Sequence, residues 1–277
     1  MTKNKRVGLV IPYFEAGVEL LHTLDSVVLN ADDLILIVDD GSINLPARNF
    51  VPKAVGKTPV LLIELQQNLG ITGALLSGIS SIPQGYEFIA RLDCGDYCSE
   101  KRFEIQRSFL EDNLDVVLVG AWVDFVSPSR EKLYSFEPPK EHIELQNYMK
   151  INCPIIHPTA MFRRSAYDAV GGYRDSYPSA EDFDLFLRLS KVGSISNIAQ
   201  TLVYCSTNDG GISTKRRKEQ IQSRIKILAS NFDWSPLAFY GLVRSVLLWL
   251  IPRSWSSVLS NYKQDMRARV NNLKMLK

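Results

Sequence analysis

Five short apolar runs, four of them closed by a polar or acidic cluster, constrain this chain more than any other feature. Val7 to Ile11 runs into Pro12-Tyr13-Phe14-Glu15, and Leu34 to Val38 into Asp39-Asp40-Gly41-Ser42. Val60 to Leu65 ends at Gln66-Gln67-Asn68, Phe88 to Leu92 at Asp93-Cys94-Gly95-Asp96, and Val116 to Val119 is the fifth run. Short apolar runs without alternation suit strands buried on both faces. Apolar residues at helical spacing predict helices over Leu20 to Asn30 and Gly73 to Ile82. A third helix is predicted over Ser99 to Asn113, with Ser99 as N-cap; Arg102 three residues on rules out a capping box. Strand–helix alternation at this spacing predicts an α/β sandwich around a largely parallel sheet.

Ligands of such sheets bind outside the carboxyl ends of the strands. All four polar clusters fall at those ends, so one crevice can collect them. Ordinary turn chemistry competes with this reading, because Asp, Asn and Gly are turn residues. Four clusters in succession, two of them doubly acidic, favour a shared site.

After Ile151 the texture changes. Residues Asn152 to Thr159 form a loop containing His157, followed by a short strand at Ala160 to Phe162. Ser165 to Val170 is predicted helical and stops at Gly171-Gly172. Ser179 is expected to cap a helix opening on Glu181-Asp182, where acids complement the helix dipole. That dipole role alone would account for the two acids.

The 277 residues carry 32 Lys+Arg and 30 Asp+Glu, unevenly placed. From Lys215 onward there are 13 basic and 3 acidic residues, net +10, which leaves −8 for the first 214. Ser213 to Ser230 and Lys263 to Lys277 are expected to be basic helices flanking the apolar stretch Pro236 to Ile251. That stretch is short for a membrane span and contains Arg244. Two readings stand side by side: an interfacial anchor on anionic lipid, or a helical pair packed on the main body. Nucleic-acid binding is not expected, since no recognition motif accompanies the charge. No signal peptide is expected at the start, because the first apolar run is short and meets Pro12 and Glu15. Cys94 and Cys98 have the look of half a zinc site, but no second half exists. Together with Cys153 and Cys205 they are expected to be reduced thiols in a cytoplasmic protein.

Taken in order, these motifs resemble the family-2 glycosyltransferases of GT-A fold. The resembling residues are Val10 to Tyr13, Ile37 to Ser42, Asn68-Leu69-Gly70, Arg91 to Asp96, His157 to Arg164, Gly171 to Arg174 and Glu181 to Leu185. The match spans roughly residues 6 to 205, and its second half looks most like bacterial O-antigen and capsular polysaccharide enzymes. The resemblance implies a Rossmann-like, mostly parallel sheet flanked by helices, with a C-terminal helical appendage outside it. The expected division is a glycosyltransferase domain over 1–212 (nucleotide half about 1–120, acceptor half about 121–212) and a basic, apolar appendage over 213–277.

The implied reaction inverts the anomeric carbon of a hexose carried on a nucleotide, a UDP-sugar foremost and a dTDP-sugar second. The acceptor is expected to be an oligosaccharide on polyprenyl diphosphate, with the enzyme peripheral at the inner membrane face. Attack needs a general base, and departure needs positive charge at the diphosphate. By resemblance, Asp39 accepts from the pyrimidine ring N–H, while Pro12, Tyr13 and Glu15 line the nucleoside pocket with Tyr13 stacking. Asp40 supports that loop, and Asn68 and Gly70 shape the floor beneath base and ribose. Asp182 is the base, and Glu181 helps to place the acceptor. His157 touches diphosphate or acceptor, or else is structural. The family's Leu-Asp-x-Asp-Asp appears here as Leu92-Asp93-Cys94-Gly95-Asp96, with glycine where the metal-contacting acid is expected. By resemblance Asp93 keeps its place near the ribose and the metal, and Asp96 reaches the Mg²⁺ or Mn²⁺ directly or through water; alternatively the metal binds weakly, or Arg163, Arg164 or the basic tail substitutes for it. Gln66-Gln67 likewise stands where a basic residue is common. Two other functions compete. A nucleotidyltransferase would need a Gly-rich basic loop after the first strand, where Pro12 to Glu15 stands instead. A non-catalytic sugar-nucleotide-binding subunit would explain Gly95 but not Asp39 and Asp182.

Overall fold

The computed structural model describes residues 5–207 and 216–251. Strands β1 (Val7–Tyr13), β2 (Leu34–Asp39), β4 (Thr58–Glu64) and β5 (Phe88–Arg91) lie parallel in the order β4-β2-β1-β5. The sheet continues through the short antiparallel β9 (Met161–Arg163) to β7 (Val116–Val126) and β10 (Ser194–Ser206), which pair in parallel. Small strands complete it: β3 (Ala54–Val55) on β4, β6 (Tyr97–Cys98) on β10 and β8 (Lys132–Phe136) on β7. The expected mostly parallel α/β architecture is present. Every residue of β1, β2 and β5 is buried, as their unbroken apolar runs require. β4 is partly exposed because only the two-residue β3 lies outside it.

Alternate side chains of each strand feed two separate cores. Val10, Leu36 and Val38 pack under α2 (Gly70–Ser81) with Ala74, Leu75 and Ile79. Leu9, Ile11, Ile35 and Ile37 pack on the other face with Leu20 and Leu24 of α1 (Glu19–Leu24) and with Phe103 and Leu110 of α3 (Arg102–Asp112). The remaining helices of the body are α4 (His142–Met149), α5 (Arg164–Ala169) and α6 (Glu181–Leu189). Behind α3 a buried ion pair joins Arg107 to Asp33. The same Asp33 carboxylate accepts from the backbone N–H groups of Val7 and Asn30. Arg107→Met would leave that carboxylate buried without its charge partner. A loss of about 3–5 kcal/mol is expected in urea denaturation, and a loss below ~1 kcal/mol would contradict the assignment.

Several local expectations are corrected. The first helix stops at Leu24 rather than Asn30, because its final side chains serve other partners. The Thr23 hydroxyl accepts from Gly95 N–H and the Ser26 hydroxyl from Cys98 N–H. α2 starts at Gly70, earlier than Gly73, because the Asp40 carboxylate accepts from Leu69 N–H (2.7 Å) and satisfies a donor at its start. Ser99 does not cap α3 with its hydroxyl; its carbonyl accepts from Arg102 N–H instead. Ser179 has φ +60° and a buried hydroxyl with no partner, and Ala180 takes the cap position of α6. The fifth strand runs on to Val126, since β8 and β10 flank its second half.

Beyond the sheet, α7 (Arg217–Ser230) and α8 (Pro236–Leu250) pack on each other and on the body. The Ser223 hydroxyl donates to the Pro178 carbonyl just before α6. Gly241 brings α8 against the Lys150–Ile151 backbone so closely that no Cβ would fit. The basic helix begins at Arg217, and the one expected at Lys263 to Lys277 lies outside the described residues. No helix among the described residues is long and apolar enough to cross a membrane.

Candidate active site

The crevice lies at the carboxyl ends of β1, β2 and β5, where the sheet geometry collects the clusters. On the side where the nucleotide is expected, three predicted residues act mainly on one loop. Asp39 accepts from Ser42 N–H with one oxygen and Ala47 N–H with the other. Glu15 accepts from Ile43, Asn44 and Leu45 N–H, and these bonds, Asn44's foremost, lower its pKa. They also hold Glu15 at φ +49°. The Tyr13 hydroxyl donates to the Leu45 carbonyl and accepts from Gly17 N–H. Its ring is 1% exposed, so the stacking expected of Tyr13 does not fit its placement. The neighbouring Phe14, 52% exposed, is the aromatic ring open to solvent here. Pro12 lies inside β1, paired with Val38.

Asp40 is buried, and desolvation raises its pKa despite the bond from Leu69 N–H. It ties the β2 loop to the Asn68-Leu69-Gly70 turn, where the Asn68 side-chain carbonyl accepts from Gly70 N–H. Gly41 makes this contact possible: at φ +75°, a Cβ there would lie 2.6 Å from the Gln67 backbone.

The β5 end supplies the residue that sequence reasoning missed, Arg91. Its Nη2 lies 2.5 Å from the Asp93 carboxylate, while Nε and Nη1 are buried without partners. Its carbonyl accepts from Arg102, itself wholly buried. A lone basic residue ending the otherwise apolar Phe88-Ile89-Ala90 strand was the available signal.

Gly95 has φ +96°, and its N–H is held by Thr23. The turn sends Asp96 inward, where its carboxylate accepts from Ser206 N–H of β10. Burial, then the Asp93 charge, pushes Asp96 up to about 7. Of the two acids expected around one metal, Asp96 is thus buried and bonded to β10, close enough for the Asp93 charge to act on it. Asp93, partly exposed, is the carboxylate of that cluster facing the crevice.

On the side where the acceptor is expected, Glu181 and Asp182 open α6. Glu181 is 5% exposed, and one of its carboxylate oxygens is buried without a partner. Burial first, then the neighbouring Asp182 charge, pushes Glu181 up to about 7. Asp182 is less covered and accepts from Phe183 N–H (2.7 Å). Desolvation raises its pKa, and the Arg91 and Arg224 charges oppose that rise. His157 lies 3.7 Å from Glu181 and 2.7 Å from the Tyr173 hydroxyl. Burial, with Arg91 second, holds its imidazole well below the usual value. This buried, committed histidine suits the structural role weighed for it better than contact with a diphosphate. Among the described residues, His157, Glu181 and Asp182 are grouped with one ligand atom each, all within 4.8 Å of one another. Arg163 and Arg164, weighed as metal substitutes, donate instead to backbone carbonyls of 110, 113, 116, 82 and 83.

Both raised carboxyls carry a stability consequence. A group with a folded pKa above its unfolded one stabilises the fold at low pH, and that contribution disappears as pH rises through the folded value. For Asp96 and Glu181 the window runs from the ordinary carboxylate range up to about 7. Their contribution lowers the Tm of the ligand-free protein as pH rises from about 4 to about 7. The Asp96→Asn, Glu181→Gln double variant should flatten that slope in a thermal melt; an unchanged slope would contradict the assignment.

Comparison with known proteins agrees with this geometry. The glycosyl transferase family 2 model matches residues 9–171. The amylovoran biosynthesis glycosyltransferase AmsE of Erwinia amylovora is 26% identical over 235 residues, 84% of this chain and 85% of that one. S. aureus TarS 1-349 in complex with UDP-GlcNAc superposes with TM-score 0.65 at 16% identity, over 82% of this chain and 67% of that one. The mannosyltransferase PcManGT of Pyrobaculum calidifontis, in complex with GDP-Man and Mn²⁺, gives TM-score 0.61 at 16% identity, over 92% and 72%. These neighbours share the GT-A fold. With the family model covering more than half of its length, the chain belongs to glycosyl transferase family 2 and is a glycosyltransferase.

Proposed function

We propose that this enzyme transfers a hexose, with inversion, from a nucleotide-sugar to a lipid-linked oligosaccharide during bacterial surface polysaccharide biosynthesis. UDP is the nucleotide favoured. The observation carrying this reading is that the Glu181-Asp182 start of α6 lies within the field of Arg91, the residue at the end of β5 that holds Asp93 in an ion pair. The amylovoran relative supports the polysaccharide setting, and the UDP-GlcNAc complex of TarS supports the donor class.

Asp182 takes the proton from the attacking hydroxyl, because it is the more open of the two adjacent acids and desolvation raises its pKa above the ordinary aspartate value. Glu181 behind it keeps the pair tightly coupled and sets its position. Asp39 and the loop it holds receive the base and ribose, and Asp93 lies at the sugar and diphosphate end. A divalent cation, when bound, would be held by Asp93 and would stabilise negative charge on the departing diphosphate. The chain's own residues supply one open carboxylate for it. Residues 1–212 would form the catalytic unit and 213–277 its appendage, with Arg224 of α7 reaching the surroundings of Asp182.

A thermal-shift series tests the donor assignment. UDP and UDP-sugars are expected to raise Tm more than GDP-mannose, and Mn²⁺ to increase the shift. Equal or larger shifts with GDP-mannose would overturn the choice of UDP.

A further inference from the structure

We infer that the outer face of α8 is a docking surface for an anionic lipid bilayer. Phe239, Tyr240, Val243, Val246, Leu247 and Leu250 recur at three- and four-residue intervals and are all exposed. The opposite face, Ala238, Gly241 and Ser245, is buried against the body. Of the two readings of this segment, packing and anchoring, the structure shows that packing occupies only one side of the helix. A soluble body rarely leaves a contiguous apolar stripe of this length uncovered.

Three observations select a lipid surface as the occupant. The stripe carries no charge, and the helix's single charged residue, Arg244, lies off it with Nη1 buried. Aromatic rings border it, with Trp249 at one end and Trp234, 89% exposed, just before the other. Rings of this kind settle at the headgroup boundary of a bilayer. Charge is complementary too. Arg216, Lys218 and Lys226 of the α7 region are exposed, and the chain from Lys215 onward carries net +10. At about 1.5 Å per residue α8 is some 22 Å long, which suits lying in the interface rather than crossing it.

The surface adjoins the acceptor side of the site. α7, on which α8 packs, touches α6 and bonds to Pro178 through Ser223. A lipid-linked acceptor would therefore meet Asp182 near the bilayer plane; this placement rests on the proposed function, whereas lipid binding itself does not.

Vesicle flotation of the full chain tests the inference. The protein is expected to float with phosphatidylcholine–phosphatidylglycerol vesicles, weakly with phosphatidylcholine alone, and less as salt rises. The Leu247→Asp, Leu250→Asp double variant changes two exposed positions, and it should bind anionic vesicles at least tenfold more weakly while keeping its UDP-induced thermal shift. The Leu247→Ser, Leu250→Ser variant gives the same readout without added negative charge. Flotation unchanged in both variants would overturn the inference. So would a wild-type protein that does not float but sediments as a dimer that either variant splits, since the face would then join two copies. If flotation behaves as expected but no UDP-sugar is bound, the donor assignment fails and the lipid surface stands.

Discussion

Asp182→Asn is expected to reduce sugar transfer by roughly 10²–10⁴-fold, the usual worth of a positioned general base, while UDP binding stays within about twofold. The amide keeps the size of the carboxylate and its bond from Phe183 N–H, so α6 should start as before. It cannot take a proton from the acceptor hydroxyl. Transfer assayed against donor binding on the same preparation separates the two effects. In the wild type, kcat/KM should fall as pH drops through the titration of the Glu181–Asp182 pair, because the base must be deprotonated and both carboxyls are raised. Tightly coupled neighbours titrate as a pair, so this limb belongs to both. A fully active Asp182→Asn enzyme would sink the assignment.

Arg91→Met should be the most damaging single change for fold and activity together. The guanidinium is buried against Asp93, and its charge acts on Glu181, Asp182 and Asp96. Removing it leaves several acids facing one another in a poorly solvated site. A stability loss of about 3–5 kcal/mol is expected, read from urea denaturation at neutral pH. The surviving activity should show its acid limb displaced to higher pH, since the opposing positive charge is gone. Arg91→Lys, which keeps the charge, should restore most of the pH profile. A stable Arg91→Met protein with an unshifted profile would show that the arginine has no part in tuning the acids.

The layered fold was legible because four of its parallel strands are written as unbroken apolar runs, and burial on both faces leaves such strands little else to be. Family membership was legible because Asp39-Asp40, Asn68-Leu69-Gly70, Arg91 to Asp96 and Glu181-Asp182 occur in one order. What escaped was which way each side chain turns. Nothing in Pro12-Tyr13-Phe14 says that the tyrosine goes inward to grip Leu45 and Gly17 while the phenylalanine goes out. The end of α1 was missed because Thr23 and Ser26 are claimed by residues some seventy positions away. Arg91 was passed over as part of a motif although it is the buried charge between the two halves of the site. Nor does Asp93-Cys94-Gly95-Asp96 say that the turn at Gly95 carries Asp96 toward β10 while Asp93 stays partly exposed.

The loop after β2 has one more consequence. Asp39, Glu15 and the Tyr13 hydroxyl already occupy its backbone donors and one of its carbonyls. Little conformational freedom is left there for an arriving nucleotide to remove. If the base and ribose bind here as proposed, recognition at this edge of the crevice is close to lock-and-key, and the affinity contributed there is not spent on ordering the loop. Selection between donors then falls to complementarity with a surface that exists before the donor arrives.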